Sequence, residues 1–77
     1  MSGLPRRYAR RHTPTQRAVL EVFEPGETLD VPEVWKRIGY ESVTYTTVRN
    51  ACAALGAEGV LGDAGRRHLY KLWRRVE

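Results

Sequence analysis

Ser42-Val43-Thr44-Tyr45-Thr46-Thr47-Val48-Arg49-Asn50 runs on through Ala51-Cys52-Ala53-Ala54-Leu55, then through Gly59-Val60-Leu61 and Gly62-Asp63-Ala64-Gly65-Arg66-Arg67-His68-Leu69-Tyr70. The first part has helical spacing. On a wheel of 100° per residue, Val48, Ala51, Cys52 and Leu55 cluster on one side, while Thr46, Asn50 and Ala53 lie opposite with Arg49 on the flank. The spacing predicts a helix that starts near Ser42 to Thr44, runs to about Leu55, and is ended by Gly56 or Gly59. The second part reads as a β-hairpin. Val60-Leu61 opens a strand, Asp63-Ala64-Gly65 carries a turn signal, and Arg66 to Leu72 forms the return strand with two arginines at the tip. The alternation is read with Tyr70 and Leu72 inward and Lys71 and Trp73 partly outward.

Two further helices precede this unit. Thr13-Pro14-Thr15-Gln16 is a capping box, with Pro14 at the first helical position and Gln16 three residues after Thr13. Ala18, Val19, Val22 and Phe23 continue it as an apolar stripe, and Pro25-Gly26 stops it. The next helix opens on Asp30 with Glu33 at the third position, and Leu29 and Val34 form a hydrophobic staple. Val34, Trp35 and Ile38 make its inner face, and Gly39 supplies the left-handed residue at its end. Thr28-Leu29 has room for a short strand. The order is helix, strand, helix, helix, strand, turn, strand. That order predicts an α+β fold, a winged helix-turn-helix with three helices and a small antiparallel hairpin wing. Residues 1–12 read as a flexible basic arm and 13–77 as the domain.

Charge is segregated along the chain. Residues 1–20 carry five Arg and no acid, residues 21–41 carry six acids against Lys36 and Arg37, and residues 42–77 carry five Arg and one Lys against three acids. The resulting +5, −4 and +3 recover the net +4. A basic arm and a basic second half around an acidic middle suit a face that meets a polyanion. Chemistry is otherwise thin. One cysteine (Cys52) and two histidines (His12, His68) give no intramolecular disulfide and no metal-ligand set. There is no nucleophile–base pair, no Gly-rich phosphate loop and no paired carboxylates, so the expectation is a non-enzyme with no cofactor and no metal. Neither an apolar spanning run nor a signal-peptide core is present, which points to a cytoplasmic protein without a membrane partner.

The candidate functional residues follow from this layout, with double-stranded DNA as the expected partner. Asn50 suits bidentate pairing with adenine and Arg49 with guanine, and Thr46 lies beside them on the outward face. Thr44 and Thr47 add hydroxyls at a helix start, where phosphate binds readily, although Ser42 or Thr44 must serve as the cap. The Tyr45 ring is placed to close the core edge while its hydroxyl reaches a phosphate. Arg66 and Arg67 on the hairpin suit phosphate or minor-groove contacts, and Arg6, Arg7, Arg10 and Arg11 form an arm for the same task. Cys52 faces the core, and His68 sits on a strand surface.

Thr13-Pro14, Gly26-Glu27-Thr28 before Val31 and Val34, Tyr45-Thr46-Thr47-Val48, Leu55, Gly59-Val60-Leu61, Gly65-Arg66 and Tyr70 together resemble the DNA-binding domain of the penicillinase-repressor family of winged-helix regulators. The likeness spans roughly residues 13–72. It implies a transcriptional repressor whose third helix enters the major groove and whose wing flanks it. Carried over by position, it makes Thr46, Thr47, Arg49 and Asn50 contact residues. Family members dimerise through a helical segment after the wing. Four residues follow Trp73 here, so that segment is not expected, and a homodimer or a protein partner would have to form otherwise. Two other readings fit the same layout: a winged-helix adaptor of the transcription machinery that uses the acidic 21–41 surface or Trp73, and an architectural or recombination accessory protein that bends DNA.

Overall fold

The computed structural model describes residues 12–76, which form an α+β unit of three helices and one three-stranded antiparallel sheet. Helix α1 spans Pro14–Val22, strand β1 Thr28–Asp30, helix α2 Val31–Ile38, helix α3 Tyr45–Ala57, strand β2 Leu61–Arg67 and strand β3 Tyr70–Arg75.

Each helix begins where a side chain can satisfy a free backbone amide. At α1, Thr13 Oγ1 accepts from the Gln16 amide at 3.1 Å, and Gln16 Oε1 accepts from the Thr13 amide at 3.0 Å, which completes the capping box. At α2, Asp30 Oδ1 accepts from the Glu33 amide at 2.9 Å. At α3 the cap is Thr44, whose Oγ1 accepts from the Thr47 amide at 3.1 Å. Helix α3 runs past Leu55 to Ala57, with Glu58 as its C-cap, and Gly59 at φ +84° makes the turn out. Gly56 therefore lies inside the helix.

The core is one cluster. Val19, Leu20 and Phe23 from the first helix and its exit meet Leu29, Val31 and Val34, then Val48, Ala51, Cys52 and Leu55 of α3, and Leu61 and Trp73 of the sheet. The wheel drawn for α3 holds: its four core positions are buried, and Thr46, Arg49, Asn50 and Ala53 are exposed.

Strand β3 is central, with β1 on one side and β2 on the other. Leu29 pairs with Trp73 across β1 and β3, and Arg67 pairs with Tyr70 at the far end of the hairpin. Two details differ from the sequence reading. First, the hairpin turns at His68-Leu69. Asp63-Ala64-Gly65 is an irregularity within β2, where the register shifts between Asp63 and Arg66. Gly65 takes φ +106° there, and Asp63 Oδ1 accepts from its amide at 2.9 Å. The Asp-x-Gly signal thus encodes a bulge, whose glycine adopts the same left-handed backbone a turn would need. Arg66 and Arg67 consequently belong to the outgoing strand.

Second, the inward set of β3 is Lys71, Trp73 and Arg75. Trp73 is buried and Tyr70 exposed. Trp73 lies against α3 where Gly56 leaves room: a Cβ there would overlap Trp73 Cζ3 and sit 2.7 Å from Cη2. Lys71 and Arg75 tolerate the inner face because their aliphatic stems cover apolar surface, although Arg75 Nε is buried without a hydrogen-bond partner among the described residues. Lys71 Nζ lies 4.4 Å from the Trp73 ring centroid, and Arg75 Nη1 donates to the Leu20 carbonyl at 3.0 Å.

Candidate nucleic-acid interface

Three contacts set the placement of α3. Trp35 Nε1 on α2 donates to the Val43 carbonyl at 2.9 Å, which pins the segment leading into α3. The Trp35 ring also meets Tyr45 edge-on at 5.5 Å and Tyr40 at 4.8 Å. Such geometry suits the ring quadrupoles and adds to burial alone. On the other side, His12 Nε2 lies 2.8 Å from Glu58 Oε1, so the residue before the α1 cap is tied to the end of α3.

The outward face of α3 carries Thr46, Arg49, Asn50 and Ala53, and its two flanks open onto different grooves. Arg49 faces the hairpin. Tyr45, Arg49 and Ala53 form one wall of a groove, Arg66, Leu69, Tyr70 and Lys71 form the other, and the buried Val31 and Trp73 lie beneath. Three cations line this groove, one of which, Lys71, has its Nζ 3.6 Å from Asp63 Oδ2. Asn50 faces the opposite way. With Thr47, Ala51 and Ala54 it borders a shallow groove closed by Thr13, Thr15 and Gln16 of α1.

The hydroxyls divide into two groups. Thr44 and Thr47 are bonded to each other at 2.8 Å, and Thr44 also caps the helix. Their first duty is structural, which leaves Thr46 as the free hydroxyl on the outward face. Tyr45 is half-buried, packed against the core edge and Trp35. Its ring closes the core edge and also forms part of the wall of the basic groove.

Arg66 and Arg67 are exposed on the outer half of β2. Arg66 lines the groove, whereas Arg67 stands at the last paired position before the tip. Arg6, Arg7, Arg10 and Arg11 lie outside the described residues. Sequence reading missed Lys71 and Leu69 as groove residues. The inward parity of β3 would have pointed to Lys71; no sequence signal marked Leu69.

The acidic middle is less available than its composition implied. Arg37 donates to both carboxylate oxygens of Glu27 at 2.8 Å, to Glu33 Oε2 at 3.1 Å and to the Val22 carbonyl at 3.1 Å. Its hydrogen bonds to Glu27 hold that carboxyl below its ordinary range, with a further bond from the Glu24 amide acting the same way. Glu27 sits in the loop between α1 and β1 as part of this strut. Asp63 is likewise held low, chiefly by the Gly65 amide and then by Lys71, whose Nζ lies 3.6 Å away. Burial pushes the Cys52 thiol up to about 12, so the thiolate is disfavoured at neutral pH.

Among the described residues, no helix is long and apolar enough to cross a membrane, and no three His, Cys, Asp or Glu are grouped to hold a metal ion. No family model, curated protein or solved structure matches the chain.

Proposed function

We propose that this chain is a cytoplasmic winged-helix protein that binds double-stranded DNA at specific sequences and acts as a transcriptional repressor. The observation that carries the reading is the groove shared by α3 and the β2–β3 hairpin. It brings Arg49 of the outward helix face beside Arg66 and Lys71 of the hairpin. A helix with an exposed Thr46, Arg49, Asn50 and Ala53 face fits the major groove, where short polar side chains and arginine reach base edges. The hairpin cations then fall on the flanking backbone, which fixes register without reading sequence.

The roles divide by flank. Asn50 reads bases on the α1 side of the helix, and Thr46 from the middle of its outward face. Arg49 reads a base, guanine by preference, at the boundary with the hairpin. Arg66, Arg67 and Lys71 hold phosphates. Arg6, Arg7, Arg10 and Arg11 add further contacts to the phosphate backbone. A single module of this kind covers only about 600–1,000 Å², so tight operator binding calls for a homodimer or a protein partner.

Salt dependence tests the reading. Each neutralised phosphate adds about −0.9 to the slope of log K against log salt. Three phosphate-holding cations (Arg66, Arg67 and Lys71) then give a slope near −2.7, roughly a fortyfold loss of affinity between about 50 and 200 mM salt. Arg66→Ala should lower that slope by about one and weaken all duplexes alike. A flat salt profile, or no duplex binding by fluorescence anisotropy, would contradict the proposal and turn attention to a protein partner.

A further inference from the structure

The tip of the hairpin has the wrong chemistry for a mere turn. A two-residue hairpin loop favours Gly, Asn or Asp, because one or both central residues need positive φ. Here the loop is His68-Leu69, with His68 at φ +55°. Leu69 is 87% exposed, more than the other large hydrophobic residues found on the surface. Nothing in the core uses it, and the turn does not require it.

Its surroundings decide among the uses of an exposed apolar side chain. Leu69 has the exposed Tyr70 beside it on the hairpin. It projects from a strand end carrying Arg66 and Arg67, and it lines the same groove as Arg49, Arg66 and Lys71. The tip therefore belongs to the surface that carries the outward face of α3. The minor groove of B-form DNA, about 6 Å wide, is too narrow for a two-stranded ribbon, so side chains of the two-residue tip, not the ribbon itself, are what can enter it. An apolar side chain on a narrow basic tip has the build of the wedges that part adjacent base pairs from the minor groove.

We infer that Leu69 is such a wedge: when α3 lies in the major groove, side chains of the hairpin tip enter the adjacent minor groove and Leu69 inserts at a base step, kinking the duplex. This rests on the DNA-binding proposal and deepens it by giving the tip a task distinct from phosphate neutralisation. Pyrimidine–purine steps unstack most easily, so the site should favour TA or CA/TG at a fixed distance from the bases read by Asn50 and Arg49. Arg67, beside the tip, is placed to follow it into the groove, where arginine is attracted to the negative potential.

The test uses the 77-residue protein and a duplex recovered by that protein from a random pool. Bending is read by circular-permutation mobility, and unstacking by 2-aminopurine placed in turn at each step of the flanking minor groove. Wild type should bend the duplex by roughly 20–90° and brighten 2-aminopurine at one step. Leu69→Ala should abolish that fluorescence and most of the bend, lower affinity about tenfold, and leave the salt slope unchanged. Leu69→Phe should retain both signals. Binding without a bend, or an equal bend and fluorescence from Leu69→Ala, overturns the wedge while leaving the DNA-binding proposal standing. Absence of duplex binding by wild type overturns both.

Discussion

Gly56 occupies a helical position because the Trp73 ring leaves no space for a Cβ. In an exposed helix, glycine to alanine gains about 1 kcal/mol. Here the added carbon would meet the aromatic carbons of Trp73, and moving the ring would disturb its packing between α3 and β1. Gly56→Ala should therefore reverse the usual sign and destabilise the fold by about 1–3 kcal/mol, the range for overpacking a filled site. Urea unfolding measures this directly, and a stabilised variant would refute the packing described for Trp73. The same contact explains why β3 was misread. Lys, Trp and Arg at alternate positions look like an outward set. Only the gap at Gly56 and the Leu29 partner across the sheet show that Trp73 is the inward residue.

At the scale of elements, the sequence was most legible where one side chain caps one amide. The Thr13 and Asp30 starts, the Gly39 end of α2 and the buried side of α3 all stand where their residues predicted. Less legible was anything set by a distant partner. The Asp63–Gly65 signal specified left-handed backbone but not whether that backbone bends a strand or ends it. Nothing near Glu27 in sequence announces its partner, because Arg37, ten residues on, forms the strut with it. That strut joins the exit of α1 to α2, and it makes stability depend on acid. Arg37 holds Glu27 below its ordinary value of 4.5 in the folded chain. A carboxylate lowered in this way adds stability that is complete above its unfolded pKa and is lost as pH falls through the folded value. Unfolding midpoints taken from neutral pH downward should fall below about pH 4.5, and Arg37→Met should show a shallower fall. Matching acid limbs for the two proteins would mean that the strut carries no stability.

At the scale of the whole molecule, the acidic middle is drawn partly into internal ion pairs, while Arg49, Arg66, Arg67 and Lys71 remain on or beside one groove. Trp73, considered as an exposed partner-binding residue, is buried. Both observations weaken the surface that an adaptor role would use, and both favour the basic face. That face joins a helix able to read bases to a hairpin able to hold the backbone, with Asn50 and Arg49 on opposite flanks of the helix. Sequence specificity carried by α3 is the central claim. It is tested most directly by selecting bound duplexes from a random pool with wild type and with Asn50→Ala at moderate salt. The account predicts an enriched motif for wild type, and for Asn50→Ala the same motif with discrimination at one base pair reduced by about 1–3 kcal/mol. Retention without a motif, or an unchanged motif from Asn50→Ala, would contradict it.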